Sequence, residues 1–448
     1  MTLKIGVSGV RGYVPDSLTP EIILDFAKAF GTYLGGGKVL VGSDPRSSSE
    51  FIKGIIFSGL LSTGCEVVDL GICPTPTVGI NIPELKAVGG IVITASHNPL
   101  PWNGLKFMRE DGIFLNDPQM KKLITIYEKK EFRKELPKKV TSDHTAIDTH
   151  LKKVLKEVNG TAIRHRKFRV ALDCCNGAGS VACVMLLQKL GCEVEALNCN
   201  PSLSFPHPPE PIPENLADLC KTVKSCKADI GFALDADADR LAIVSEEGQT
   251  IGEELTLALA EKHILLENAL INAERKVIVI NLSTSKTIED IAKENGAIVI
   301  RTKIGEVHVS EELKNLNGLI GGEGNGGVIY PAIGYNRDAL TGIALILDYM
   351  AHTHKSISKL VAELPGYYMT KKKLECDTQE QAGQALEKVK NKFNKEDLIL
   401  TDGIKVVFPH LWLHVRASNT EPIIRIIAEG KEKKEVDTLV SQVLKSLA

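Results

Sequence analysis

KVLVGSDPRSSSEFIKGIIFSGLLSTGCEVVDLG, residues 38–71, decides the fold class. It opens on a β-branched run, passes through a small polar loop, and continues as an amphipathic helix that ends near Gly64. A second β-rich run follows. Two parallel strands need such a crossover, so the segment reads as a strand–helix–strand unit. The same plan returns in FRVALDCCNGAGSVACVMLLQKLGCEVEALN (168–198) and in KVIVINLSTSKTIEDIAKENGAIVIRTKIG (276–305). The uneven spacing excludes a solenoid repeat and predicts large α/β domains in series. From about Gly366 the pattern changes to strand, helix, three strands and helix, which predicts a small α+β domain with a mainly antiparallel sheet. The expected organisation is three mixed α/β domains (1–150, 151–250 and 251–365) and a C-terminal α+β domain (366–448). Linkers are expected near 150–165, 247–252 and 364–367. Clefts between such domains commonly hold small ligands.

The chain has 448 residues, 43% apolar and 25% charged, with a formal net charge of −2. That balance gives no basic surplus for nucleic acid or an anionic membrane. The start, MTLKIGVSGVRG, has no signal-peptide apolar core, and no apolar run approaches a membrane span. Ten scattered cysteines without a paired C-x-x-C motif suggest free thiols, with Cys174, Cys183 and Cys192 in apolar stretches. A reduced cytoplasmic protein is expected.

The chemistry lies in the loops. TASHNPLPWNGLK, residues 94–106, follows the buried-strand pattern AVGGIVI and breaks into a turn at Asn98-Pro99, Pro101 and Asn103-Gly104. Ser96 is thereby expected at the mouth of a sheet, exposed by the turn, with Lys106 nearby. LDADADRLAIV (234–244) carries Asp235, Asp237 and Asp239. Alternating carboxylates repel unless a loop wraps them round a divalent cation. An EF-hand is excluded, because Arg240 stands where that loop needs glycine and LAIV continues as a strand. Three carboxylates leave ligand positions for water or a phosphate, and Arg240 sits beside them to hold a phosphoryl oxygen. RASNTEPIIR (416–425) offers Arg416, Ser418, Asn419, Thr420 and Arg425 as a phosphate cradle. GGEGNGG (321–327) presents Glu323 and Asn325 to sugar hydroxyls on a permissive backbone. Arg11, between glycines, is a further candidate anion contact. TKIGEVHV supplies Lys303 and Glu306, with His308 read as a packed histidine. SDPRSSS is read as the cap of the following helix.

Taken in order, TASHNP with NGLK, DADADR, GGEGNGG and RASNTEP make the whole chain resemble the α-D-phosphohexomutase superfamily. The resemblance implies four domains round a central active-site cleft, each giving one loop. It implies that Ser96 is the phosphoserine and that Asp235, Asp237 and Asp239 hold magnesium, with the Ser96 phosphate as a further ligand. It gives Glu323 and Asn325 to the sugar, and the RASNTEP residues to phosphate. Lys106 becomes a general acid or base, and Arg11 and Arg240 active-site arginines. The implied reaction interconverts hexose 6-phosphate and hexose 1-phosphate, with hexose 1,6-bisphosphate as intermediate and primer. The sugar and phosphate loops look most like the phosphoglucosamine mutase branch. Phosphomannomutase/phosphoglucomutase is the alternative, and a metal-dependent sugar phosphatase or a silent sugar-phosphate binding protein are the rivals. The oligomeric state stays open between monomer and homodimer. Two departures bear on proton transfer. Gly327 stands where many members have a histidine, and Glu306 stands where several have another.

Overall fold

All three repeated segments fold as parallel strand–helix–strand units. Gly37–Ser43 pairs with Cys65–Ile72 across helix Ser49–Ser62. Arg169–Asp173 pairs with Glu193–Leu197 across Gly179–Lys189. Val277–Asn281 pairs with Ile298–Thr302 across Thr287–Glu294. The first strand of each pair is largely or wholly buried, as β-branched strands covered by helices on both faces should be. The computed structural model describes residues 3–6, 9–270, 276–376, 378–417 and 423–447.

One topological step repeats in all three sheets and positions the site. In each, a further parallel strand turns back into an antiparallel one. Gly89–Ile93 turns into Trp102–Arg109, Ile230–Leu234 into Leu241–Ser245, and Ile320–Glu323 into Gly327–Ile329. The connecting turns are the serine loop, the acidic loop and the glycine-rich loop. They lie at the carboxyl ends of parallel strands, where α/β sheets bind ligands.

The C-terminal sheet contains Tyr368–Glu375, Asp397–Ile399, Ile404–Val407, Leu411–Ala417 and Ile423–Gly430, paired antiparallel throughout. Its apolar core, from Ala382 to Val443, closes within the domain. The second and third sheets instead share one continuous core, which runs from Leu151 through Phe232 and Ile280 to Leu360. The C-terminal domain meets the third sheet through polar contacts. Lys371 Nζ donates to Glu253 Oε1 at 2.6 Å and Glu254 Oε1 at 2.8 Å. The N–H of Ile304 donates to Asp402 Oδ2 at 2.9 Å, and that of Lys286 to Glu429 Oε2 at 2.8 Å.

The stretch 150–165, expected to be a linker, carries two helices, Ala146–Lys156 and Gly160–Arg166. The boundary drawn at 150 falls inside the first. His150 and Leu151 are buried there, so this segment packs as part of the body. All ten cysteines are free thiols, with Cys174 and Cys183 buried and Cys192 partly so. Among the described residues, no helix is long and apolar enough to cross a membrane.

Candidate active site

The serine loop is tied down by an arginine from a distant segment. Arg46 Nη2 donates to the carbonyl oxygens of Ser96 and Asn98, both at 2.6 Å, and Nη1 donates to Trp102 O at 2.9 Å. Arg46 is anchored in turn through Nε on Asp44 Oδ2 at 3.0 Å, an oxygen that also accepts from Thr94 Oγ1 at 2.7 Å. SDPRSSS, expected to cap the following helix, makes no side-chain cap bond and instead builds the serine turn. Ser48 precedes helix Ser49–Ser62, and the buried Asp44–Arg46 pair holds the turn. Ser96 lies at φ +52°, a left-handed conformation costing a non-glycine residue about 1–2 kcal/mol. The Arg46 contact and a bond from the Ser96 N–H to Thr94 Oγ1 at 2.8 Å hold it there. The turn does not expose Ser96. It is 1% accessible, and Oγ donates to Asp235 Oδ2 at 3.0 Å, because the acidic loop of the second domain closes over it.

Asp235, Asp237 and Asp239 are fully buried, with carboxylate oxygens within 4.8 Å of one another. Donors from three domains balance their repulsion unevenly. Lys106 Nζ donates to Asp237 Oδ2 at 2.7 Å and to Asp239 Oδ2 at 3.2 Å. Thr75 Oγ1, at the start of helix Thr75–Glu84, donates to Asp237 Oδ2 at 2.7 Å. Arg337 Nη2 donates to Asp239 Oδ2 at 2.6 Å. Asp235 Oδ1 accepts the backbone N–H groups of Asp239 and Arg240, at 3.1 and 3.2 Å. The Oδ1 atoms of Asp237 and Asp239 are buried with no hydrogen-bond partner. Buried acceptors are normally satisfied. Two orphaned carboxylate oxygens beside the Asp235–Ser96 contact are a hard-oxygen donor set that fits a divalent cation.

Electrostatics follow this asymmetry. Burial, then Asp239 and Asp237, pushes the Asp235 carboxyl well above its ordinary range, with Arg240 opposing. Burial acts the same way on Asp239, but Arg337, Lys106 and Arg240 outweigh it and hold that carboxyl low. Burial disfavours the Lys106 ammonium, yet Asp237 and Asp239 prevail and its net shift is upward.

The third loop joins the same network. Glu323 ends its strand buried, with Oε1 accepting from Asn281 Nδ2 at 2.9 Å and from the Gly305 N–H at 3.1 Å. Its Oε2 accepts from Arg337 Nη1 at 2.7 Å. Glu306, the first residue of helix Glu306–Asn315, accepts the Arg337 backbone N–H at 2.9 Å. Burial pushes the Glu306 carboxyl up to about 7, against the pull of Arg337 and with help from Asp239. Asn325 is partly buried and its Oδ1 has no partner.

Arg11 Nη1 donates to Asn98 Oδ1 of the serine loop at 2.9 Å, and its Nε is buried without a partner. Arg240 lies 3.9 Å from Asp239 and 3.8 Å from Glu210. Arg240, burial and Arg11 together hold the His97 imidazole well below its ordinary range, with Asp239 opposing. Lys303 is exposed, two residues before the Gly305 N–H that meets Glu323. Arg416 and Arg425 face each other across neighbouring antiparallel strands, and Arg416 Nε donates to Asp402 Oδ1 at 2.9 Å. Ser418, Asn419 and Thr420 lie outside the described residues. His308, read as a packed histidine, is partly buried on the 306–315 helix, 3.7 Å from Asp117. Motif reading missed Arg46, Thr75 and Arg337. Each acts on a residue far along the chain, and only the glycine at 327 hinted that something else fills that space.

Four models of the phosphoglucomutase/phosphomannomutase family match in chain order. They are α/β/α domain I over residues 2–134, domain II over 148–248, domain III over 252–368, and the C-terminal domain over 372–446. A phosphoglucomutase/phosphomannomutase of Thermococcus kodakarensis is 39% identical over 440 residues, covering 96% of this chain and 95% of the relative. A probable phosphoglucosamine mutase of Methanopyrus kandleri is 35% identical, covering 97% and 95%. A crystal structure of a phosphoglucomutase/phosphomannomutase family protein from Burkholderia thailandensis superposes with a TM-score of 0.86 at 25% identity, covering 98% of this chain and 96% of that one. With every domain matched in order and relatives aligned over nearly the full length, the chain belongs to the phosphoglucomutase/phosphomannomutase family of α-D-phosphohexomutases, which are intramolecular phosphotransferases.

Proposed function

We propose that this phosphohexomutase interconverts glucosamine 6-phosphate and glucosamine 1-phosphate through phosphorylated Ser96 and a hexose 1,6-bisphosphate. The observation that carries the reading is the Ser96 Oγ–Asp235 contact beside two orphaned carboxylate oxygens. In the proposed reaction a sugar hydroxyl attacks the phosphorus of phospho-Ser96. The P–Oγ bond breaks as the new P–O bond forms, and the hydroxyl proton passes to a base. The bisphosphate turns round, and Ser96 Oγ takes the phosphoryl group from its other end. Asp235, Asp237, Asp239 and the Ser96 phosphate would hold Mg²⁺, which offsets charge on the transferring group. Arg11 and Arg240 steady phosphoryl oxygens, and Glu323, Asn325 and Lys303 bind the sugar. Arg416 and Arg425, with Ser418, Asn419 and Thr420, hold the non-reacting phosphate in both orientations. We place the enzyme in the cytoplasm, in keeping with its free thiols.

The Methanopyrus kandleri relative supports glucosamine phosphate. The Thermococcus kodakarensis relative, at 39% identity, keeps glucose and mannose phosphates as the second reading. Primed with a trace of hexose bisphosphate, the enzyme should turn over glucosamine 6-phosphate with a kcat/KM at least about 10-fold above the other two. Equal or faster turnover of glucose or mannose 6-phosphate would move the assignment to the second reading.

Lys106 and Glu306 are the candidates for the hydroxyl proton. A carboxyl titrating at about 7 accepts a proton only once it is ionised, so single-turnover transfer should rise with pH through neutrality and then level off. Glu306→Gln should remove that acidic limb, and Lys106→Arg should preserve it. If Glu306→Gln keeps the wild-type profile, Glu306 is not the proton acceptor.

A further inference from the structure

Arg337 lies outside every motif read from the sequence, yet its side chain, 8% exposed, touches three loops. Nη1 donates to Glu323 Oε2 at 2.7 Å and Nη2 to Asp239 Oδ2 at 2.6 Å. Nε lies 3.1 Å from Glu306 Oε2, off the line a hydrogen bond needs. The backbone beneath it is fixed as well. Asp338 caps helix Ala339–Thr353 by accepting from the Leu340 N–H at 2.9 Å, and its other oxygen lies 2.8 Å from His150 Nε2. His150 Nδ1 in turn meets Thr77 Oγ1 at 2.9 Å, so the first domain steadies this corner.

Gly327 makes the side chain's position possible. A Cβ built there would lie 2.2 Å from Arg337 Cδ, so any side chain at 327 would collide with the arginine. The space that such a side chain would take is filled by the Arg337 stem. Gly327 and Arg337 are thus a matched pair, contributed by a strand end and a loop of the third domain.

We infer that Arg337 is a positioning residue for the mutase reaction, acting on the sugar through Glu323 while bracing that loop against Asp239. The planar fork suits this task, because it engages two carboxylates at fixed angles, which a lysine ammonium cannot do. Glu323 Oε1 already receives two donors. The Arg337 bond to Oε2 therefore sets the plane in which the carboxylate meets sugar hydroxyls. With the fork gone, Glu323 loses its aim. The role rests on the assignment of Glu323 to the sugar.

The test is a double-mutant cycle on full-length enzyme, read as kcat and KM for glucosamine, glucose and mannose 6-phosphates. Arg337→Met, checked for folding by its melting curve, should lower kcat/KM about 10- to 100-fold, as loss of a charge-assisted bond does. Most of the loss should appear in KM. Arg337→Lys should rescue poorly, and it stands in should the methionine variant not fold. In a Glu323→Gln background, Arg337→Met should raise KM by less than about 3-fold more, because its route to the sugar is already cut, while any loss through Asp239 falls on kcat. Gly327→Ala should be harmful in the wild-type background and should add little to Arg337→Ala, which vacates the space. Additive effects on KM at 323 and 337, or full kcat/KM in a folded Arg337→Met enzyme, would overturn this role and leave the Glu323 assignment standing. Wild-type kcat/KM in Glu323→Gln would overturn both.

Discussion

Ser96→Ala should leave a folded protein whose mutase turnover falls by about 10⁴-fold or more, since the proposed covalent carrier of the phosphoryl group is gone. The fold should survive because nothing structural hangs on Oγ. The loop is held through backbone atoms, by Arg46 on the Ser96 and Asn98 carbonyls and by Thr94 on the Ser96 N–H. Alanine meets the same left-handed backbone cost as serine. Oγ makes one close bond, to Asp235 Oδ2. Steady-state turnover, the melting temperature and the intact mass decide the matter together. Wild-type protein should carry one covalent phosphoryl group that the alanine variant cannot. Near-normal turnover in a clean alanine preparation would sink the phosphoserine mechanism.

Asp237→Asn should weaken metal binding and activity in parallel, by at least about 100-fold. Two effects act together. The orphaned Oδ1 offers a charged ligand to a cation, and an amide offers a neutral one. Oδ2 is shared by Lys106 and Thr75, both donors, so an amide that turns its nitrogen toward them would break the brace on Lys106. Calorimetric titration with Mg²⁺ on apo-protein reads the first effect without any turnover. Chelation should abolish wild-type activity, and added Mg²⁺ should restore it. Full turnover in metal-free enzyme would refute the assignment of residues 235–239 to a cation.

Most of the framework was legible in the sequence because it is written locally. Alternation and helical period identify Gly37–Ser43, Ser49–Ser62 and Cys65–Ile72 within one short window. The serine, acidic and glycine-rich loops announce themselves through residue types that a strand or helix would not tolerate together. Contacts between distant segments were not legible. Arg46 reaches Ser96 across 50 residues, and Arg337 reaches Asp239 across 98. No spacing rule ties such pairs, because the fold and not the chain brings them together. The expectation that the Asn98-Pro99 turn exposes Ser96 failed for the same reason. The turn is real, but the residue covering it comes from another domain.

The closed core of the C-terminal domain has a thermodynamic consequence. No apolar cluster among the described residues bridges that domain and the third sheet, while Lys371, Asp402 and Glu429 bridge it with hydrogen bonds. Swinging the domain away from the cleft therefore hands polar groups to water and uncovers little hydrocarbon. Heat capacity changes with the apolar area exposed, so this motion carries only a small heat-capacity change. The free-energy difference between open and closed cleft accordingly varies almost linearly with temperature, without the curvature of the balance between folded and unfolded chain. Such a motion would give the proposed bisphosphate room to turn round without loosening any domain's interior.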